Sequence, residues 1–236
     1  MTHHLVSGIN FSPSPAQVFN RLNMDENHPL AGEAQHLLEQ ALSIAAPVAL
    51  YKPAYIESVE EDCVMIDGAT FKSRVLRVNL EKVHRVFAYV ATCGNELREW
   101  ALSFDDMMYQ YWADAINEMA LGVAIRAMNK DIQKRYRPGK TSSMSPGSLK
   151  EWPVQQQKPL FKILGDVENT VGVKLTESML MIPNKSVSGI IFPSEENFES
   201  CLLCPRSDCP GRRAPYDPHL FEKKYNQNIF GVRRLK

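Results

Sequence analysis

Apolar residues recur at helical spacing through Leu30, Ala34, Leu37, Leu38, Ala41, Leu42 and Ala45, between Pro29 and Pro47. This predicts one amphipathic helix, opened and closed by proline. Before it, Ser12-Pro13-Ser14-Pro15 followed by Ala16 to Leu22 reads as a cap and a short helix. Val48 to Val59 is extended, and Cys63 to Phe71 carries the Asp67-Gly68 pair of a hairpin turn. Val83 to Thr92 alternates as a half-buried strand does, and Gly94 closes it. Two helices follow, Asn95 to Ser103 and Asp105 to about Arg135. Along the second run Met108, Trp112, Ala115, Ile116, Met119, Ala120, Val123 and Ala127. That stripe has the look of a cofactor box, but a buried helix face accounts for it more simply.

From Arg137 to Ser148 the chain is rich in Pro, Gly and Ser, which predicts a loop too long for a simple connector. Beyond it Val154 to Leu164 is helical, Val173 to Thr176 and Val187 to Phe192 are strand-like, and Pro218 to Tyr225 is briefly helical. Helices and strands alternate without a strict βαβ rhythm, so the expected class is α+β: helices flanking an antiparallel sheet. The expected division is a main body over residues 1–193, with residues 194–236 as a cysteine-rich extension packed on it.

Lys and Arg number 27, as do Asp and Glu. With no net field, nucleic acid and anionic membranes are not expected partners. The basic tail, Gly231 to Lys236, reads as solvated. The first residues lack a secretion signal and no apolar run is long enough for a membrane helix, so a cytoplasmic protein is expected. His3 and His4 are expected to be disordered, and the other histidines are scattered without a ligand pattern.

The sharpest chemistry is Cys201-Leu-Leu-Cys204, with Cys209 five residues on. A Cys-x2-Cys pair lets two thiolates reach one metal from a tight turn, and Pro205, Pro210 and Gly211 favour loop backbone. Arg206, Arg212 and Arg213 would lower thiolate pKa values and offset cluster charge. Iron–sulfur and zinc centres both want four ligands, so Cys93, Cys63 or His219 completes the set, or an exchangeable ligand sits there. Iron–sulfur, structural zinc and free redox thiols are the three readings.

Three blocks carry a resemblance. They are Ser145-Pro146-Gly147 with Trp152-Pro153, Gln156-Gln157 and Leu160-Phe161; then Val171 to Pro183 (Val-Gly-Val-Lys-Leu-Thr-Glu-Ser-Met-Leu-Met-Ile-Pro); then Lys185-Ser-Val-Ser-Gly189. In order and spacing they resemble the activation domain of cobalamin-dependent methionine synthase, of which this chain reads as a stand-alone relative. The N-terminal half agrees loosely, at Val90 to Gly94 and Asp114 to Ile116.

The resemblance implies a twisted antiparallel sheet flanked by helices that binds S-adenosylmethionine and caps a cobalamin domain. There an inactive cob(II)alamin is reduced by one electron and methylated. It points to Ser145, Pro146, Gly147, Glu177, Ser186 and Ser188 as ligand-contacting candidates, although Glu177, Ser186 and Ser188 each have a structural role open to them too. The family's ligand loop resembles Arg-x-Ala-Pro-Gly-Tyr, and here Ser143 and Ser148 stand at the Arg and Tyr positions. A later tyrosine falls on Ile191, and a helix glutamate falls near Gly122, with Glu118 one turn earlier as its substitute. Serine cannot supply arginine's planar fork for a carboxylate, which puts S-adenosylmethionine in question. The resulting expectation is activation of a corrinoid protein or methyltransferase, with electrons from a ferredoxin or flavodoxin passed through a cysteine-bound cluster. The alternative is a non-catalytic cap with a structural zinc.

Overall fold

Proline, glycine and capping side chains end the elements close to where the pattern places them. A computed structural model describes residues 2–196, 198–209 and 211–226 and the backbone of 233–234. The first half contains β1 (His4–Val6), α1 (Pro15–Arg21), α2 (Ala31–Ile44), β2 (Val48–Val59), β3 (Cys63–Ile66), β4 (Ala69–Lys72), α3 (Arg74–Asn79) and β5 (Arg85–Thr92). Then come α4 (Asn95–Leu102), α5 (Met107–Tyr136), β6 (Thr141–Met144), α6 (Gln157–Leu164), α7 (Val167–Val171), β7 (Lys174–Leu175), β8 (Met181–Ile182), β9 (Ser186–Pro193) and β10 (Arg233–Arg234).

The main sheet runs β4-β3-β2-β5-β9-β6, antiparallel throughout, with β1 and β10 also on β2. Its turns are chemically specified. Asp67 and Gly68 both take positive φ between β3 and β4, as a two-residue hairpin requires. Ser14 caps α1 through a capping box, and the Asp106 carboxylate accepts from the Met108 and Tyr109 amides to start α5.

Strand alternation sorts side chains onto two faces. Leu50, Ala54, Val86, Ala88, Val90, Ile190 and Phe192 point to one, where α3, α6 and α7 cover them. Tyr51, Phe87, Tyr89, Ala91 and Ile191 point to the other, against Ala124, Met128 and Ile132 of α5. A third core joins α1, α2 and α4 to the first half of α5. Each fully buried Val, Leu, Ile, Phe or Met among them contributes roughly 1.5–3 kcal/mol of transfer free energy, and each alanine less. The α5 stripe is therefore core: Trp112, Ala115, Ile116 and Ala120 are buried in that third cluster, and Met108, Met119 and Val123 pack against it.

Two expectations change. The stretch after Arg137 is not all loop, because Thr141–Met144 forms the edge strand β6 on β9. Its Thr-Ser-Ser-Met composition hides the alternation that buries Ser142 and Met144. His4 is ordered in β1, stacked on Tyr51 with ring centroids 4.9 Å apart, and its Nε2 lies 2.6 Å from the Tyr136 hydroxyl. Burial, seconded by the charge of Arg135, lowers its pKa below the ordinary imidazole range. Past residue 193, Phe198 and Tyr225 are buried among residues of β3, β4 and α3. The Tyr225 hydroxyl donates to Asn79 Oδ1 at 3.1 Å. Of the basic tail, residues 231, 232, 235 and 236 lie outside the described residues. Among the described residues no helix is long and apolar enough to cross a membrane.

Candidate functional site

Two strands and the turn that follows one of them build the loop singled out by sequence. β6 ends at Met144, and Ser145, Pro146 and Gly147 turn the chain away over β9. Gly147 sits at φ 85°, its amide donates to the Trp152 carbonyl at 2.7 Å, and a Cβ there would press on Val154 at 3.1 Å. Ser148 closes the turn by donating its amide and hydroxyl to the Ser145 carbonyl. Beneath lies Gly189, where any Cβ would collide with the Met144 carbonyl oxygen and stand 2.8 Å from Ser145 Oγ. The glycine is there because backbone and side chain of the loop occupy its side-chain space. Tyr89, opposite Gly189 in the ladder, is hydrogen-bonded to Ser145. Burial pushes the Tyr89 phenol up, while the Ser145 hydrogen bond and the charge of Arg213 oppose that.

Ser143 and Ile191, which stand where the resemblance expects an arginine and a tyrosine, are direct register partners across β6 and β9. The two departures thus fall side by side. That point of the sheet offers a hydroxymethyl and a buried isoleucine, with neither cation nor phenol.

Glu118, Ser186 and Ser188 do not converge on the loop as one set. Glu118 projects from α5 and accepts from Arg21 Nη2 at 2.8 Å, with Lys185 Nζ at 3.8 Å. Lys185 also pairs with Asp114 at 2.7 Å, which ties the start of β9 to α5. Ser186 next to it donates to Pro183 O and lies 2.9 Å from Thr92 Oγ1, a strand-fixing role. Ser188 Oγ is buried without a hydrogen-bond partner among the described residues. Glu177 stands exposed in the tight turn between β7 and β8, which Thr176 closes through Leu180. Beside Glu118 opens a cleft of about 410 Å³ between α5, α1 and the segment Asn10 to Pro13. Sequence reasoning missed Arg21 and Arg126 on its walls, since lone arginines on exposed helix positions carry no motif.

The cysteines are arranged differently from the expectation. Among the described residues no three His, Cys, Asp or Glu side chains come together as a metal ion would need. Cys93 is fully buried in the core of α2, α4 and α5, whereas Cys204 packs against the core on the other side of the sheet. Burial pushes the Cys93 thiol up to about 12, and its Sγ donates to the Gly94 carbonyl. A thiol held protonated in an apolar core is no fourth ligand. Cys63 sits on β3 beside Glu60, and His219 is exposed with its amide on Asp217. Neither completes a set.

What organises residues 201–214 is Arg212. Its guanidinium donates to the carbonyls of Cys201 (3.1 Å), Cys204 (3.0 Å), Ala214 (3.0 Å) and Arg206. Arg213 donates its amide to Cys201 Sγ and pairs with Glu199 at 3.0 Å. Of the arginines expected to tune thiolates, Arg212 instead holds backbone carbonyls, while Arg213 meets Cys201 through its amide and Glu199 through its guanidinium. Replacing Arg212 by methionine is therefore expected to release the loop locally, at about 2 kcal/mol after discounting for partial exposure. Alkylation of Cys201 and Cys204 should then quicken by about tenfold or more. Unchanged labelling kinetics would show that something else holds the segment.

A family model, vitamin B12 dependent methionine synthase, activation domain, matches residues 127–199. That span runs from the second half of α5 through β6, the loop, α6 and β9, and stops before the cysteines. No curated protein matches the chain. Among solved structures, the crystal structure of the MetH reactivation domain bound to AdoHcy is similar at 15% identity and a TM-score of 0.55. The likeness covers 85% of this chain and 81% of that one, and at such identity it speaks for the fold. Residues 127–199 are thus similar in sequence to the activation domain of vitamin B12-dependent methionine synthase, and the chain as a whole shares the fold of the MetH reactivation domain.

Proposed function

We propose that the protein activates a corrinoid protein or methyltransferase by capping its cobalamin while the cobalt is reduced and methylated. One observation carries the reading: the family match over residues 127–199 falls on the elements that present the Ser145-Pro146-Gly147 loop. The reaction balances as follows. An inactive cob(II)alamin on the partner takes one electron from a ferredoxin or flavodoxin, and the resulting cob(I)alamin takes a methyl cation from S-adenosylmethionine. Methylcobalamin and S-adenosylhomocysteine are the products. For this chain's residues the roles are docking and ligand holding: the loop faces the corrinoid, and the cleft beside Glu118 takes the methyl donor. Support for that ligand comes from the likeness to a domain whose structure holds AdoHcy. Against it stands the Ser143 and Ile191 pair.

Electron delivery through a cysteine-bound iron–sulfur cluster is a finer reading carried by the Cys201, Cys204 and Cys209 spacing alone, and no step is routed through it here. A non-catalytic cap with a structural zinc is the second reading, and Ser143 in place of the family's arginine favours only its non-catalytic part. Metal content and the visible spectrum of protein purified without oxygen separate these two: about four irons with colour, or one zinc without.

The test is to mix the chain with a cob(II)alamin-loaded corrinoid carrier, reduced flavodoxin and S-adenosylmethionine. The visible spectrum is expected to turn from cob(II)alamin to methylcobalamin only when the chain is present. A spectrum indifferent to the chain overturns the reading.

A further inference from the structure

The first two cysteines of the C-terminal cluster sit at the two ends of a single turn. Ser200–Leu203 form a short 3-10 turn capped at Cys204, whose amide donates to the Cys201 carbonyl at 3.3 Å. A turn closed from i to i+3 keeps its end Cα atoms within about 7 Å, and side chains three apart on a 3-10 turn eclipse. A disulfide spans Cα separations of about 4.4–6.8 Å. Cys201 and Cys204 therefore leave the same side of one turn, at a separation of the size a disulfide bridges.

Arg212 locks that geometry. Its guanidinium donates to the carbonyls of both cysteines, so one planar group holds both ends of the turn. Two thiols fixed in this way meet as an intramolecular pair, at high effective concentration. Their surroundings differ. Cys201 Sγ accepts the Arg213 amide at 3.4 Å, which places a donor at a sulfur that carries charge, whereas Cys204 packs against the apolar core. Cys209 lies beyond the turn, with its carbonyl accepting from the Arg212 amide. The chain's remaining thiols are passive. Burial pushes the Cys93 thiol up to about 12, and burial with the Glu60 carboxylate raises that of Cys63.

We infer that Cys201 and Cys204 are a redox-active dithiol that exchanges with low-molecular-weight disulfides. Cys201, deprotonated, attacks one sulfur of the external disulfide. That sulfur–sulfur bond breaks, and the first thiolate leaves and takes a proton from water. Cys204 then loses its proton and attacks Cys201 Sγ, expelling the second thiolate, which is protonated in turn. Two protein thiols are oxidised by two electrons to one disulfide, and the external disulfide is reduced to two thiols. The same sulfurs cannot be joined to each other and ligate a metal at once, so this inference and the cluster reading exclude each other. It does not depend on the corrinoid role proposed above.

The experiment takes the whole chain, purified without oxygen and assayed for iron and zinc, and equilibrates it with mixtures of glutathione and glutathione disulfide. Samples are quenched in acid, alkylated and cut with trypsin for mass mapping. The map is unambiguous, since Cys201 and Cys204 share the peptide Ser186 to Arg206 and Cys209 falls on the next, Ser207 to Arg212. The first peptide is expected to become two hydrogens lighter and lose its alkylation, while Cys63, Cys93 and Cys209 stay alkylated. Cys204→Ser should accumulate one glutathione on Cys201, and Cys201→Ser should react about tenfold more slowly or worse. Arg212→Met should lower the equilibrium constant for closing the pair by about tenfold, because the turn loses its clamp.

A first peptide that stays fully alkylated in excess glutathione disulfide overturns the inference. A bridge that joins the two peptides overturns the pairing, since it brings in Cys209. Cys201→Ser taking up glutathione as fast as Cys204→Ser overturns the order of attack. Iron or zinc held by the native chain and lost from Cys201→Ser overturns the dithiol and leaves the metal reading standing.

Discussion

Replacing Gly189 by alanine is expected to destabilise the fold by about 3 kcal/mol, the upper range for overpacking by one methyl group. The added Cβ has nowhere to go. It would collide with the Met144 carbonyl and crowd Ser145 Oγ at 2.8 Å and Tyr89 Cε1 at 3.1 Å. A side chain in its path would swing aside at little cost, but a carbonyl is fixed by the β6–β9 ladder. The strand can give way only by losing its pairing, and Ser145-Pro146-Gly147 would leave with it. Urea unfolding should show a lower midpoint, and hydrogen exchange should show the loss concentrated in residues 141–148. Gly211, with nothing within 4 Å of its Cβ position, is the control and should tolerate alanine far better. A Gly189→Ala chain within 1 kcal/mol of the native one would mean that β6 is not seated as described.

How much of this was legible beforehand follows from what kind of signal each feature leaves. The β3–β4 hairpin was readable because Asp67-Gly68 is a local requirement of the turn. The α5 core face was readable because its period is helical over 30 residues. β6 was not, since an edge strand of Thr-Ser-Ser-Met shows its alternation only through the partner it pairs with. β1 was not, because His4 is ordered by Tyr51 and Tyr136, far along the chain. At the site, the block from Ser145 to Gly189 was found by its resemblance, and Gly189 has a steric reason that the sequence could not supply. The cysteines misled for a physical reason: spacing states what a metal could gather, while Arg212 and the buried position of Cys93 decide what the fold brings together. Arg126 left no trace, because a cleft wall becomes visible only when its neighbours are in place.

Trp152→Ala is expected to cost about 3–5 kcal/mol, the range for deleting a large aromatic from a packed core. Trp152 is fully buried, edge-on to Phe71 with ring centroids 6.2 Å apart, and belongs to the core that α6 closes over the sheet. Its backbone does a second job: the carbonyl accepts from the Gly147 amide, so its placement fixes the loop's far end. The variant should therefore lose stability and loop order together, seen as a lower urea midpoint and faster exchange of the Gly147 amide. Trp152→Phe separates the two contributions. Trp152 Nε1 is buried with no hydrogen-bond partner among the described residues, a defect worth about 1–3 kcal/mol that phenylalanine removes. Phenylalanine leaves a cavity smaller than alanine's, so the two effects oppose and the net loss should stay below about 1.5 kcal/mol. With the backbone bond kept and most of the ring retained, the loop should exchange as in the native chain. If phenylalanine proves as damaging as alanine, the indole N–H has a partner that stabilises it, and the loop is anchored through that bond instead of through packing.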